Sequence, residues 1–402
     1  MKKTVLTALI AVASLFLCSC SNSDNTGEVK KSLSLLDTTW YEDGMLYDQN
    51  TKGGDKVLCY YSAQTDKSAV MCGMPECTHS SKTSPDCGAL AEEEIGFWRC
   101  GLNIIGDKLY YVIAMNPYED SIGEIRLMEC DVNGKNRRAA AVAENVALPI
   151  IKSAEYFDDY VLVTYFQNSD IKINENTGEF EMVQLDKSRF YIQKMYFTGN
   201  VETVVCREGY SATGSGTVYE DTLYYNFSYL LDSSTGESLT LENTPERYRE
   251  FCILNMSTGE EKVYKDSMAC GLTFGCFSPE RVLCYDFNKD KMGRFYLDTE
   301  KFEIIGDYDN GYIEDEKEAL FVESMDSDYW TKYNFESGEI THIPAPDESL
   351  GIYLNGTVVV GGTVWFTLDL GEYNTLTDAY ISRDDFFNGK FENYKTAAKA
   401  DI

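Results

Sequence analysis

Histidine, proline and basic side chains are scarce in this sequence. Its 402 residues include 2 His, 8 Pro and 35 Lys or Arg against 66 Asp or Glu, and the formal net charge is −31 at pH 7. Nucleic-acid binding needs cationic side chains that neutralise phosphates, so this charge argues against a nucleic-acid partner. Two histidines also leave few of the residues that usually transfer protons near neutral pH.

Several catalytic and nucleotide-binding signatures are missing as well. The sequence contains no Gly-x-Ser-x-Gly elbow, no phosphate-binding loop and no dinucleotide fingerprint. The Gly-rich stretch 209–216 opens a strand-like pattern instead of a helix, so it lacks the helix N-terminus that binds phosphate, and we expect a loop between repeats. Many acidic pairs occur among 66 acids, and no spacing singles one out. We therefore predict no catalytic residue.

The chain opens with a leader of the exported type. Lys2 and Lys3 precede an uncharged apolar run at 4–17, which is too short for a stable membrane span and is typical of a secretory signal. The run ends in Leu17-Cys18-Ser19-Cys20, which resembles the bacterial lipobox. By that resemblance residues 1–19 are the lipoprotein signal peptide and Cys20 carries the lipid. The alternative is an ordinary signal peptide with incidental cysteines.

Residues 20–32 are small and polar, which indicates a flexible tether. An acidic body gains nothing from anionic lipid head groups, so attachment depends on the acyl chains. We expect an extracytoplasmic protein that is lipid-anchored to the cell membrane.

Residues 33–402 follow a strand-like pattern that recurs seven times. Each repeat has an apolar, mostly aromatic second strand, at 45–47, 108–112, 160–163, 222–225, 281–285, 319–322 and 363–366. Hairpin turns follow at 65–66, 133–134, 198–199, 258–259, 298–299, 337–338 and 388–389. About 53 residues per repeat suits a four-stranded propeller blade. We predict an all-β fold, a single β-propeller of seven four-stranded blades, with six or eight as alternatives and a pair of β-sandwiches as the rival.

A cysteine-rich loop at 72–87 interrupts the first repeat. Cys72, Cys77, His79 and Cys87 lie within 16 residues that contain little apolar surface to fold them. A tetrahedral Zn²⁺ held by three Cys and one His would staple such a loop as a closed structural site. The spacing C-x₄-C-x-H-x₇-C matches no standard zinc finger. A disulfide between two of the cysteines, or a loop with no metal, remains an alternative.

Most other cysteines fall inside strand-like segments of different repeats. They are Cys59, Cys100, Cys130, Cys206, Cys252, Cys270, Cys276 and Cys284. Because a thiol resembles a small apolar side chain, we expect these residues to lie in the core. Unpaired thiols in an exported protein also suggest a reducing, anoxic habitat.

Two further polar features are expected to be structural. The acidic stretch 307–316 resembles a calcium loop, but Gly311 comes one residue early and the later bidentate Glu is missing, so we expect solvated loops. His342 lies in an alternating strand-like segment, where a surface or packing role is expected.

The repeat, with its Tyr-rich strand and Thr-Gly turn, resembles the blades of TolB-type propellers. Together with the lipobox, the cysteine-rich loop and the segment YISRDDFFNGK at 380–390, the chain resembles a group of lipoproteins from anaerobic Firmicutes. No catalytic residue is established for that group, and a shared fold hosts many functions.

We expect a monomeric binding or protein-interaction module with a protein or glycan ligand. The alternative is an extracellular carbohydrate-active enzyme that uses acidic residues at the mouth of the propeller channel.

Overall fold

A computed structural model describes most of the chain after the tether. The described residues are 33–35, 38–74, 76–84, 86–90, 98–115, 123–173, 180–230, 247–265, 282–286, 291–307, 311–315, 317–323, 327–347, 350–352, 354, 357–369 and 376–401. The predicted signal peptide and tether, the predicted lipidation residue Cys20, and Cys270 and Cys276 lie outside them. No helix in these ranges is long and apolar enough to cross a membrane.

Strands in the first part of the chain form three antiparallel sheets. Sheet 1 contains β1 (Leu33–Leu35), β2 (Thr38–Tyr41), β3 (Gly44–Asn50), β4 (Lys56–Ser62) and β5 (Lys67–Val70). Sheet 2 contains β6 (Trp98–Ile105), β7 (Lys108–Met115), β8 (Glu124–Asp131) and β9 (Arg138–Glu144). Sheet 3 contains β10 (Ile150–Tyr156), β11 (Tyr160–Ile173), β12 (Phe180–Tyr196), β13 (Val201–Tyr219), β14 (Thr222–Leu230), β15 (Arg247–Asn255) and β16 (Glu261–Lys265).

Three further sheets follow in the second part. Sheet 4 contains β17 (Val282–Asp286), β18 (Lys291–Tyr296) and β19 (Lys301–Asp307). Sheet 5 contains β20 (Tyr312–Glu314), β21 (Glu318–Phe321), β22 (Tyr329–Asn334) and β23 (Ile340–Pro344). Sheet 6 contains β24 (Val358–Val360), β25 (Thr363–Asp369), β26 (Leu376–Ser382) and β27 (Lys395–Thr396). A short helix, α1 (Arg383–Phe386), and a 3₁₀ turn at Phe391–Asn393 lie between β26 and β27.

Within every sheet the strands pair in chain order, so each sheet is a meander. Consecutive meander sheets are the chain organisation of a β-propeller, and the predicted all-β fold class is confirmed at this level. All seven predicted second strands form; they are β3, β7, β11, β14, β17, β21 and β25. Seven repeats give six sheets because the third and fourth repeats share β13, which pairs with β12 on one side and β14 on the other.

The shared strand β13 corrects the expectation of a loop at 209–216. The segment stays in the strand and bends at Ser211, whose φ is +47°, where the pairing with β14 shifts register. A Cβ on Gly214 would lie 2.8 Å from the ring of Phe190, and one on Gly216 would lie 3.0 Å from Ile192. The glycines therefore provide close approach between strands.

A backbone hydrogen bond recurs from repeat to repeat. The residue after the third strand donates its N–H to the carbonyl of the residue that precedes the second strand. The pairs are Ala63 with Asp43, Phe197 with Asp159, Met256 with Asp221, Phe335 with Lys317, and Arg383 with Gly362, at 2.9, 3.2, 2.9, 2.9 and 2.8 Å. The same bond in five repeats of the described chain shows that the pattern read in the sequence is a repeat of structure.

Six of the seven predicted hairpin turns connect strands directly. Each contains a residue with positive φ; these are Asp66, Gly134, Gly199, Gly259, Glu300 and Gly338. The prediction for the seventh turn, at 388–389, is wrong, because α1 and the 3₁₀ turn intervene before β27. Ser382 caps α1 by accepting a hydrogen bond from the Asp385 N–H at 3.1 Å, which explains why a helix begins there.

Apolar side chains are buried between consecutive sheets. In the first compact unit (residues 1–163, 194–202 and 397–402), Leu46 of sheet 1 shares a cluster with Tyr111 of sheet 2. In the second unit (164–193 and 203–396), Leu283 of sheet 4 packs with Phe321 of sheet 5, and Ile313 of sheet 5 shares a cluster with Phe366 of sheet 6. In these three pairs, consecutive sheets therefore cover each other's apolar faces.

Residues near the C-terminus bind sheet 1 within the first compact unit. The N–H of Ala400 donates to the Tyr47 hydroxyl at 3.0 Å and to the Gln49 side-chain oxygen at 3.1 Å. The Ser68 hydroxyl donates to the Ala398 carbonyl at 2.6 Å. These hydrogen bonds join residues about 350 positions apart in the chain. Bringing such distant residues together costs loop-closure entropy, and several hydrogen bonds offset that cost.

Four cysteines predicted for the core are buried, namely Cys59, Cys130, Cys252 and Cys284. Burial raises the pKa of the Cys59 and Cys252 thiols to about 12, so both stay protonated and unreactive at neutral pH. The prediction for Cys206 is wrong: its neighbour Val205 faces the core, and Cys206 points to the other side of β13 and is exposed.

The acidic stretch is not wholly solvated, contrary to expectation. Both carboxylate oxygens of Glu314 are inaccessible to water, and the described residues offer them no hydrogen-bond partner. Asp315 instead pairs with the guanidinium of Arg383, which also donates to Glu318 at 2.8 Å. Burial, and then the charge of Asp315, raise the pKa of Glu314 well above its ordinary value.

We predict that Glu314→Gln stabilises the protein increasingly as pH rises from 4 to 8. The folded state holds the Glu314 proton more tightly than the unfolded chain does. The wild type therefore has a stabilisation from this proton that is fully present below the unfolded pKa and is lost as pH rises through the folded pKa. Gln has no such proton to lose, so the variant gains relative to the wild type as pH rises. Each unit of raised pKa corresponds to about 1.4 kcal/mol. Urea unfolding at several pH values measures the effect, with exposed Glu336→Gln as the control. An equal effect of both substitutions at every pH would contradict the burial of this carboxyl.

Candidate metal centre

Strand β4 of sheet 1 holds both ends of the cysteine-rich loop by backbone hydrogen bonds. The N–H of Met71, at the start of the loop, donates to the Leu58 carbonyl at 3.0 Å. At the other end of the loop, the N–H of Leu58 donates to the Ala89 carbonyl at 2.8 Å, and Leu90 forms an isolated antiparallel β-bridge with Val57. Both ends of the loop are thus held by β4.

The loop brings all four predicted ligands together. One donor atom from each of Cys72, Cys77, His79 and Cys87 lies within 4.8 Å of the others. His79 Nδ1 is 3.4 Å from Cys87 Sγ, and the three cysteines are free thiols. Sulfur ligands about 2.3 Å from one ion lie about 3.8 Å from each other, so this set closes around an ion with small shifts. The group can hold a metal ion.

Backbone N–H groups point at two of the sulfurs. Met74 donates to Cys72 Sγ and His79 donates to Cys77 Sγ, each at 3.5 Å. Burial alone would raise the pKa of the Cys77 thiol, but hydrogen bonds from the His79 backbone and from neighbouring side chains outweigh it and lower the pKa. The backbone therefore favours the thiolate, which is the form that binds metal.

Burial shifts the pKa values of two other candidate ligands, Cys87 and His79. Burial raises the pKa of the Cys87 thiol to about 12, and it lowers the pKa of His79. A neutral imidazole is the form of histidine that binds metal, and a bound cation deprotonates a coordinating thiol outright. A cation bound at this site would therefore deprotonate the Cys87 thiol and keep the His79 imidazole neutral.

Short-range hydrogen bonds shape the loop between the ligands. The N–H of Ser84 donates to the Ser80 carbonyl at 2.8 Å, and the N–H of Cys87 donates to the Ser84 carbonyl at 3.0 Å. The hydroxyls of Thr78 and Ser84 lie 3.0 Å apart. Small hydroxyl residues thus make successive turns that carry the chain from His79 to Cys87.

Four protein ligands leave no position on a tetrahedral ion for water or substrate. Cys87 is buried and the other three residues are half-buried. Catalytic zinc normally keeps an open position, so this donor set indicates a structural site.

His342, the second histidine of the chain, has a packing role on sheet 5, as expected. Its ring centroid lies 4.4 Å from that of Tyr329, and its Nδ1 lies 3.2 Å from the Thr331 hydroxyl. Thr331 is fully buried and donates to Glu323 at 2.8 Å.

Sequence reasoning missed Arg137, which contacts the loop from the hairpin between β8 and β9. Its guanidinium donates to the carbonyls of Gly88 and Leu90, the latter at 2.9 Å. A distance of about 50 residues separates these partners, and no periodic or spacing signal links them.

Comparisons with known proteins assign no family to this chain. No protein-family model matches the sequence, and no curated protein matches it. Solved structures give distant likenesses. Oligogalacturonate lyase in complex with manganese has a TM-score of 0.49 at 10% identity, over 89% of this chain and 98% of the other. The β-propeller domain of the Trilobed protease from Pyrococcus furiosus has a TM-score of 0.47 at 12% identity, over 92% and 98%.

TolB from Acinetobacter baumannii has a TM-score of 0.35 at 12% identity, over 84% of this chain and 76% of the other. β-Propeller proteins are thus among the structures similar to this chain. Identities this low carry no information about activity.

We predict that the purified protein contains about one equivalent of metal and that Cys77→Ser loses it, because three ligands on a short loop hold an ion less tightly than four. Elemental analysis of both proteins after dialysis measures this. Cys206→Ser, which changes an exposed cysteine outside the loop, is the control. Equal metal content in wild type and Cys77→Ser would end the interpretation of this loop as a metal centre.

Proposed function

We propose that the chain is a lipid-anchored, extracytoplasmic binding module whose cysteine-rich loop holds a structural Zn²⁺. The observation that carries the metal assignment is the convergence of three sulfurs and one imidazole nitrogen within 4.8 Å. Thiolate and imidazole donors in a four-coordinate arrangement are the preferred environment of zinc. The ion substitutes for the apolar core that the loop lacks.

The binding role is supported by acidic residues that recur on the repeats. An exposed Asp immediately precedes the second strand in three successive repeats of the first compact unit, and these residues are Asp43, Asp107 and Asp159. A carboxylate at the same place in successive repeats suits a partner with basic side chains. We therefore favour a protein ligand over a glycan, and we favour binding over the alternative of a carbohydrate-active enzyme.

Capture from solubilised membranes tests this role. We expect the wild type to retain a basic protein partner, and we expect replacement of the three Asp residues by Asn to weaken capture. Raising the salt concentration should reduce capture by the wild type more than capture by the Asn variant. Replacing the exposed residues Glu300, Glu336 and Glu339 by Gln changes the net charge equally and is the matched control. Hydrolysis of a glycan on a parallel array, abolished by one acidic substitution, would support the enzyme alternative and contradict the proposal.

Lipid attachment is tested by labelling cells with an alkyne analogue of palmitate. We expect label on the wild type and on Cys18→Ala and none on Cys20→Ala, because Cys20 alone is proposed to carry the acyl chains. Without these chains, Cys20→Ala should also appear in the soluble fraction. Label on Cys20→Ala would show that another residue carries the lipid and would contradict the assignment of Cys20.

A further inference from the structure

The cysteine-rich loop, which follows sheet 1, also contacts sheet 2, because it packs on the hairpin that joins β8 and β9. Gly88, the residue after the last ligand, lies against the backbone of Gly134 at the tip of that hairpin, and a Cβ on either glycine would overlap the other residue. At the opposite end of the loop, a Cβ on Gly73 would lie 3.3 Å from the Cβ of Asn133. The hairpin therefore contacts the loop beside its first and its last ligand.

Arg137 connects the two segments by hydrogen bonds. Its Nη2 donates to the carbonyls of Gly88 and Leu90, and its Nε donates to the Gly134 carbonyl at 3.2 Å. A planar guanidinium with several fixed donors can hold three carbonyls in one arrangement, which a lysine ammonium on a flexible stem does less well. Arg137 thus fixes the backbone that follows Cys87, the one ligand of the four that is buried.

We propose that Arg137 is a positioning residue of the metal centre, so that ion binding and docking of the loop on the sheet 2 hairpin are coupled. This inference rests on the metal centre proposed above. Groups that orient ligands without touching the ion commonly change metal affinity by about 10- to 100-fold. Coupling between two binding events is reciprocal, so the ion also favours the docked loop. The ion therefore joins two repeats as well as closing one loop.

Charge alone is a competing explanation for an effect of Arg137. Three thiolates and one Zn²⁺ leave a net negative centre, and any cation nearby would favour it. Lysine keeps the charge and loses the planar fork, so Arg137→Lys separates the two causes. Arg138 offers a matched control, because it lies next in the chain and donates to Glu129 instead of to the loop.

The test is a competition for Zn²⁺ between the full-length protein and a chromophoric chelator. We expect Arg137→Ala to lower affinity by about 10- to 100-fold, Arg137→Lys to recover only part of the loss, and Arg138→Ala to bind as the wild type does. Full recovery by lysine would overturn the positioning role in favour of charge. Wild-type affinity in a folded Arg137→Ala protein would overturn the inference while leaving the metal centre intact. A wild type that binds no metal would overturn both.

A second perturbation keeps the test independent of misfolding caused by one variant. Gly134→Ala places a Cβ against Gly88, on a residue whose φ is +76°, and should lower Zn²⁺ affinity as well. Hydrogen exchange gives the reciprocal readout: metal removal should speed exchange at 131–138 in the wild type and leave β25 unchanged. Equal hydrogen-exchange rates at 131–138 with and without metal would contradict the coupling.

Discussion

Burial of apolar surface between consecutive sheets is the constraint on which the structure depends. A meander of four short strands has two faces and cannot cover either by itself, so each sheet is stable only when the next one packs on it. The second strands show this most clearly: the six central residues of β7 are all buried, whereas β9, at the outer edge of the same sheet, alternates towards solvent. The same rule places exposed carboxylates in turns and outer strands, where they keep their water, whereas the buried Glu314 is an exception.

The cysteine-rich loop is the place where that source of stability is missing. Between Met71 and Ala89 the chain has hydroxyl residues, charged residues and ligands but little apolar surface, and hydrogen bonds alone contribute little net free energy in contact with water. In the proposed metal centre, four ligands provide the missing constraint. Because the loop also lies on the hairpin at Gly134, an ion bound there would act on two repeats.

The sequence predicted the features that depend on neighbouring residues, namely strands, hairpin turns and the candidate metal ligands. Strand periodicity located all seven second strands, turn residues located six hairpins, and residue types located four side chains that can hold a metal ion. Long-range packing was not predictable in this way. Nothing in the segment around Glu314 signals that its carboxyl is buried, since that depends on how sheet 5 is covered, and nothing near Arg137 signals a partner about 50 residues away. The Gly-rich segment at 209–216 resembled a loop because glycine serves turns and close strand packing alike.

We propose that one ion with three sulfur ligands and one nitrogen ligand holds the loop at 72–87. X-ray absorption at the zinc edge of the purified, untagged protein tests this proposal most directly. We expect a shell of three sulfurs at about 2.3 Å and one nitrogen at about 2.0 Å, with no bound water. A spectrum dominated by oxygen and nitrogen ligands, or the absence of zinc from protein prepared without chelator, would contradict it.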